Sequence, residues 1–176
     1  VVDSNKSRID AWNSPNSYDF PVKEPGLDDI IKEVRNKNLF FSSDVTYRDG
    51  IVDNNSEMFF RRLNGQIDLS YISEVAGMVG DYLKSHNKFL SIVVKSTVVP
   101  GTTDSFVHNI IKKKSGKELS QFGLGMNPEF LREGTAVDDF FKPDRIVLGG
   151  TDNQKLNKLK DLYSGFDCEI ITTDSI

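Results

Sequence analysis

The chain has 176 residues, enough for one domain with a sizeable core, and its 38% hydrophobic and 27% charged residues are the balance of a soluble globular protein. A net charge of −4 argues against a nucleic-acid partner, which usually demands a basic surface. A single cysteine leaves no internal disulfide, no apolar run approaches the roughly 20 residues that span a bilayer, and no signal-peptide pattern opens the chain, so a cytoplasmic protein is expected.

Val1-Val2 reads as the end of a buried strand that closes at Asp3. The chain begins without Met and in mid-element, which predicts a piece of a longer protein. Ser4 is placed to cap a helix whose apolar positions Ile9 and Trp12 lie three apart. Residues 13–25 form a loop rich in Asn, Ser and Pro. Leu27, Ile30, Ile31 and Val34 then follow the i, i+3, i+4, i+7 spacing of an amphipathic helix, and Leu39 to Phe41 read as a short strand. Residues 44–66 are irregular: Asp, Asn, Arg and Gly surround one apolar knot, Met58-Phe59-Phe60.

Asp68 can cap the next helix, with Leu69, Ile72, Val75, Ala76, Val79, Tyr82 and Leu83 on one face. Phe89 to Val94 is a continuous apolar run, the pattern of a strand buried on both faces. Pro100-Gly101 turns the chain into a helix that starts at Thr102 or Thr103 and is buried through Phe106, Val107, Ile110 and Ile111. It ends in Lys112 to Lys114, cations that complement the helix dipole. Phe122–Met126 and Ile146–Leu148 are strands. Leu156, Leu159, Leu162 and Tyr163 mark a last helix, and Glu169–Thr172 a last strand. Strands alternating with amphipathic helices predict an α/β fold, a doubly wound parallel sheet, here as a single domain over 1–176.

Three strand ends carry polar groups: Asp3, then Lys95-Ser96-Thr97, then Asn127 to Glu133. In a parallel sheet such ends share an edge, where open α/β sheets bind their ligands. Asp3 could accept hydrogen bonds from an adenosine ribose, and its charge would repel a 2′-phosphate, favouring NAD over NADP. It could equally cap the following helix. The hydroxyls of Ser96 and Thr97 suit a cofactor, a held water or a local turn. Pro128 drives the chain out of its strand, so Glu129 and Glu133, flanking Phe130-Leu131, are presented beyond the strand end. Thr102 and Thr103 could bind phosphate at a helix start or simply cap it. His86 and His108 stand apart without ligand spacing, so no metal is assigned. Cys168, in Asp-Cys-Glu-Ile-Ile, reads as a partly buried core residue.

The strings NPEFLREGTA and PDRIVLGG within 127–150, KSTVVPGTT at 95–103, VVDSNKSRIDAWNS at the start, EPGL and KNLFFSSDV resemble the UDP-glucose/GDP-mannose dehydrogenase family. The likeness covers most of 1–45 and 66–150 and is weaker beyond. It departs at 44–66, where the family would place a buried strand and a Thr-Pro cofactor loop. The resemblance implies a Rossmann-like NAD-binding portion that lacks its first strand and glycine loop. It implies a homo-oligomeric enzyme of polysaccharide biosynthesis that oxidises a nucleotide-sugar C6 alcohol twice, with two NAD, to the carboxylate. A cysteine in a later domain would carry the thiohemiacetal and thioester, so the chain alone is expected to be inactive. AWNS and KNLFFSSDV are most similar to the UDP-glucose members. By the same resemblance Asp3 and Arg8 approach the cofactor, Ser96 lies by NAD, and Thr97 helps position a catalytic water. Glu129 takes part in that water chemistry at the substrate, Phe130 and Leu131 offer backbone contacts to the UDP-sugar, and Glu133 faces the nicotinamide ribose. Two alternatives stay open: a non-catalytic binding or assembly protein derived from the family, and an NAD-dependent dehydrogenase of another substrate class.

Overall fold

The computed structural model describes Val1, Asp3 and residues 5–44, 68–150 and 153–174. Residues 45–66 of the irregular stretch fall outside these, as does Ser4. The chain divides into two compact units: the described residues of Val1–Asn55 with Phe130–Phe141, and those of Ser56–Glu129 with Lys142–Ile176.

The second unit is an α/β layer. Its helices are α3 (Ser70–Ser85), α4 (His108–Ser115) and α6 (Asn153–Leu162), numbered after α1 (Lys6–Asn13) and α2 (Leu27–Val34) and around α5 (Ala136–Phe141), which lie in the first unit. Its strands are β1 (Leu90–Val94), β2 (Phe122–Met126), β3 (Arg145–Gly150) and β4 (Glu169–Thr173), hydrogen-bonded in the order β1-β2-β3-β4. β1 runs parallel to β2 and β3 parallel to β4, whereas β2 and β3 are antiparallel, pairing Gly125 with Gly150 and Met126 with Gly149. The sheet is thus mixed and mostly parallel. Gly125 lets the reversed pair close: a Cβ there would stand 2.8 Å from the Gly149 carbonyl oxygen, whereas one on Gly149 would meet only the flexible Met126 side chain.

The core follows the periodicity. Ala76, Val79 and Leu83 of α3 pack with Val107 just before α4, Ile111 of α4, and Phe122 and Leu124 of β2. A second cluster joins Ile146 and Leu148 to Leu156, with Cys168 and Tyr163 against it. Two burial expectations fail. Phe106 is 36% exposed and Phe89, 47% exposed, precedes the strand. β1 is half-buried because it is an edge of the described sheet, with β2 on one side only. Helix ends are set locally. Asp68 is not the cap of α3: Leu69 holds that position, and Asp68, one residue earlier, accepts from Ser70 N at 3.0 Å and shapes the turn into the helix, while Gly116 closes α4 in the left-handed region at φ 72°. Thr102 and Thr103 do not cap. They open a six-residue π-helical run, Thr102–Val107, behind Gly101 at φ 82°, with both hydroxyls buried and unbonded among the described residues.

In the first unit Ile9, Phe20 and Ile31 are buried, and Trp12 stacks on Phe41 at 5.3 Å. Asn5 caps α1, its side chain accepting from Arg8 N at 3.3 Å. The strand expected at Leu39–Phe41 is not a ladder among the described residues. Backbone pairing nonetheless begins inside it and runs one residue beyond: Val1 N donates to Phe40 O at 2.7 Å, Ser42 N to Val1 O at 3.0 Å and Asp3 N to Ser42 O at 3.1 Å, the alternation of a parallel pair.

Candidate functional site

β1 and β2 are parallel and in register, so Val94 pairs with Met126 and the chain leaves both strands side by side. Lys95, Ser96 and Thr97 follow the first; Asn127, Pro128 and Glu129 follow the second. Asn127, 3% exposed, holds these ends together. Its backbone N–H donates to Val94 O at 2.9 Å, which extends the ladder by one rung. Its side-chain oxygen accepts from Lys95 Nζ at 3.1 Å and from the Tyr163 hydroxyl, and its amide donates to Val147 O at 2.9 Å. One buried amide therefore ties together three strands and the turn after α6, and every bond compensates its removal from water.

Ser96 is half-buried, and its hydroxyl makes no hydrogen bond among the described residues. Thr97 is exposed, with Oγ1 3.5 Å from the Glu129 carbonyl oxygen, the long limit of a hydrogen bond. Ser96, Thr97 and Glu129 are thus brought to one edge of the sheet.

Asp3 belongs to the first unit. Its side chain is 15% exposed; Oδ1 accepts from Asn5 N at 2.7 Å and Oδ2 lies 3.7 Å from Arg8 Nη1. It therefore shapes the turn into α1 without being the cap, and it keeps one oxygen beside a half-exposed guanidinium.

Phe130, Leu131 and Glu133 lie in the same unit and are exposed. Glu133 makes no side-chain hydrogen bond or ion pair among the described residues. The backbone around it is fastened instead. Asp139 accepts from Arg132 Nη2 at 2.6 Å, Nε at 3.1 Å and N at 2.9 Å, and from Thr135 Oγ1 at 3.1 Å. The Arg132 hydrogen bonds hold the Asp139 carboxyl well below the ordinary carboxylate range. On the other side Glu24 accepts from Gly134 N at 2.8 Å and Ala136 N at 3.3 Å. Sequence reasoning passes over Glu24, Asp139 and the hydroxyl of Tyr163. The only signal for Glu24 is its place before Pro25-Gly26, a carboxylate held at a turn. Among the described residues no three His, Cys, Asp or Glu are grouped to hold a metal ion.

Comparison with known proteins gives a consistent result. Residues 1–167 match the model of the UDP-glucose/GDP-mannose dehydrogenase family, NAD binding domain. UDP-glucose 6-dehydrogenase 3 of Oryza sativa subsp. japonica is 40% identical over 99% of this chain, and UDP-glucose 6-dehydrogenase 1 of Glycine max is 39% identical over the same share. The chain spans 37% of the length of each. Among solved structures, a GDP-mannose dehydrogenase ternary complex from Pseudomonas aeruginosa superposes with a TM-score of 0.87 at 32% identity, covering 99% of this chain and 40% of that one. A UDP-glucose dehydrogenase from Pyrobaculum islandicum gives 0.81 at 29% identity, covering 97% and 39%. With residues 1–167 matched, the chain belongs to the UDP-glucose/GDP-mannose dehydrogenase family, as its NAD binding domain.

Proposed function

We propose that this chain is the cofactor-binding part of an NAD-dependent nucleotide-sugar 6-dehydrogenase, with UDP-glucose as substrate and UDP-glucuronate as product. The observation that carries this reading is the side-by-side exit of Ser96-Thr97 and Glu129 from two parallel strands, with the Thr97 hydroxyl at the Glu129 backbone. The 40% identity to a UDP-glucose 6-dehydrogenase supports the choice of sugar nucleotide.

The residues suit NAD. Asp3 is a carboxylate with one oxygen not taken up by its own turn, the acceptor a ribose diol requires, and Arg8 beside it adds a positive charge. Ser96 has an unengaged hydroxyl, and Glu133 a solvated carboxylate. Bound NAD supplies a hydride acceptor. The chain supplies position and proton handling. Glu129 takes the proton of a water held with Thr97, so that hydroxide character develops where an acyl intermediate must be hydrolysed. Phe130 and Leu131 offer backbone groups to the sugar nucleotide.

The test is NADH formation by the complete natural protein with UDP-glucose, GDP-mannose and UDP-N-acetylmannosamine. Turnover with UDP-glucose at least tenfold above the others is expected. Turnover with none of them, in a folded protein that binds NAD, would favour a binding or assembly role.

A further inference from the structure

The turn that presents Glu133 is held by two carboxylates from opposite directions. Asp139 is local: it sits in the helix that the turn enters. Glu24 is remote, 110 residues earlier than Gly134, yet each of its oxygens receives a different backbone N–H, Oε1 from Gly134 and Oε2 from Ala136. Gly134 has φ 84°, a left-handed conformation that glycine adopts without strain, so its own backbone leaves the turn free to vary and the two bonds from Glu24 are what restrict it. The two donors flank Thr135, whose hydroxyl is bound by Asp139. Between these fastenings Glu133 alone is left unbonded among the described residues.

We propose that Glu24 is a positioning residue: its carboxylate, shared between the amides of 134 and 136, sets the direction in which Glu133 meets the nicotinamide-side ribose of the cofactor. This rests on the proposed function, because it takes Glu133 to be a cofactor contact. The chemistry demands a carboxylate. Two N–H donors on either side of one residue need two acceptor oxygens at once. A glutamine offers only one, and its NH₂ would face the other N–H donor to donor. Charge assistance adds to each bond.

The experiment uses Glu24→Gln, which keeps the side-chain volume, in the complete natural protein, with Glu33→Gln on the exposed face of α2 as control. Three readings are taken: amide hydrogen exchange at Gly134 and Ala136, affinity for NAD against affinity for AMP, and kcat. Glu24→Gln is expected to speed exchange at both amides about tenfold and to weaken NAD roughly three- to tenfold. AMP affinity should stay within about twofold, because AMP has no nicotinamide-side ribose. A drop in kcat of about tenfold or more should follow, since small misplacements at a reacting centre are costly. A general loss of structure would weaken both nucleotides, so the NAD-to-AMP split separates positioning from mere stability. Unchanged exchange overturns the clamp. Faster exchange with NAD affinity and kcat as in the wild type shows a structural brace only, and overturns the positioning role. A wild-type protein that binds NAD but turns over no nucleotide sugar overturns the proposed function, while exchange and the NAD-to-AMP split still decide what Glu24 does.

Discussion

At the scale of single residues, Asp3 separates two roles because its two oxygens serve different partners. Asp3→Asn can keep the bond from Asn5 N and so the turn into α1, while the charge beside Arg8 is lost. Asp3→Ala loses both. Either change is expected to weaken NAD by about 1.5–3 kcal/mol, the worth of one or two hydrogen bonds to a charged group. Calorimetric titration decides it, and wild-type affinity in Asp3→Asn would leave Asp3 with the turn alone. Glu129→Gln is predicted to behave differently: it keeps shape but removes the base. Turnover should fall by roughly 10²–10⁴-fold with little change in NAD affinity. Single-turnover kinetics should then show the acyl intermediate accumulating, and wild-type turnover would make Glu129 structural.

At the scale of elements, the packing of α3 on α4 is set by Gly80. A Cβ there would stand 2.5 Å from Lys114 Cβ and 3.2 Å from the Ile111 carbonyl oxygen. Alanine would gain up to about 1 kcal/mol in helix propensity, but overpacking costs about 1–3 kcal/mol. Gly80→Ala is therefore expected to destabilise by about 1 kcal/mol, read as a lower urea midpoint with unchanged slope. The Arg132–Asp139 turn carries a pH dependence. Because the native Asp139 carboxyl is held below its ordinary range, the contribution is complete above about pH 4 and is lost as pH falls through the lower native value. The Arg132 amide resonance should titrate only in that acid window, and should stop doing so in Asp139→Asn. These contacts also mark what the sequence could reveal. Helices α2 and α3 and the strands are legible because apolar spacing reports the buried face directly, as Ile31 and Leu83 show. Strand direction is not, since apolar spacing reads the same either way; the trace of the reversed pair is Gly125, where a Cβ would stand 2.8 Å from the Gly149 carbonyl oxygen. Caps shift by a residue when two polar side chains compete, as Asp3 and Asn5 do around α1. Ser96, Thr97 and Glu129 are legible as strand-end groups. Glu24 is not, because nothing periodic joins residues more than a hundred positions apart.

At the scale of the whole molecule, the first unit is not contiguous in the chain: it gathers Phe130–Phe141 from beyond Ser56–Glu129. The Glu24 clamp closes a loop of 110 residues, and long loops cost more entropy and form later than local turns. In refolding, pulse-labelled amides of α3 are expected to gain protection before that of Gly134. Simultaneous protection would mean that the clamp belongs to the folding nucleus. The same connectivity sets a schedule during synthesis. At about 5–20 residues per second, Glu24 is made roughly 6–22 s before Gly134. For that interval the nascent segment carries half of the Glu24 clamp, and on the proposed role of Glu133 competence for the cofactor's nicotinamide end would arrive as a late event, timed by translation.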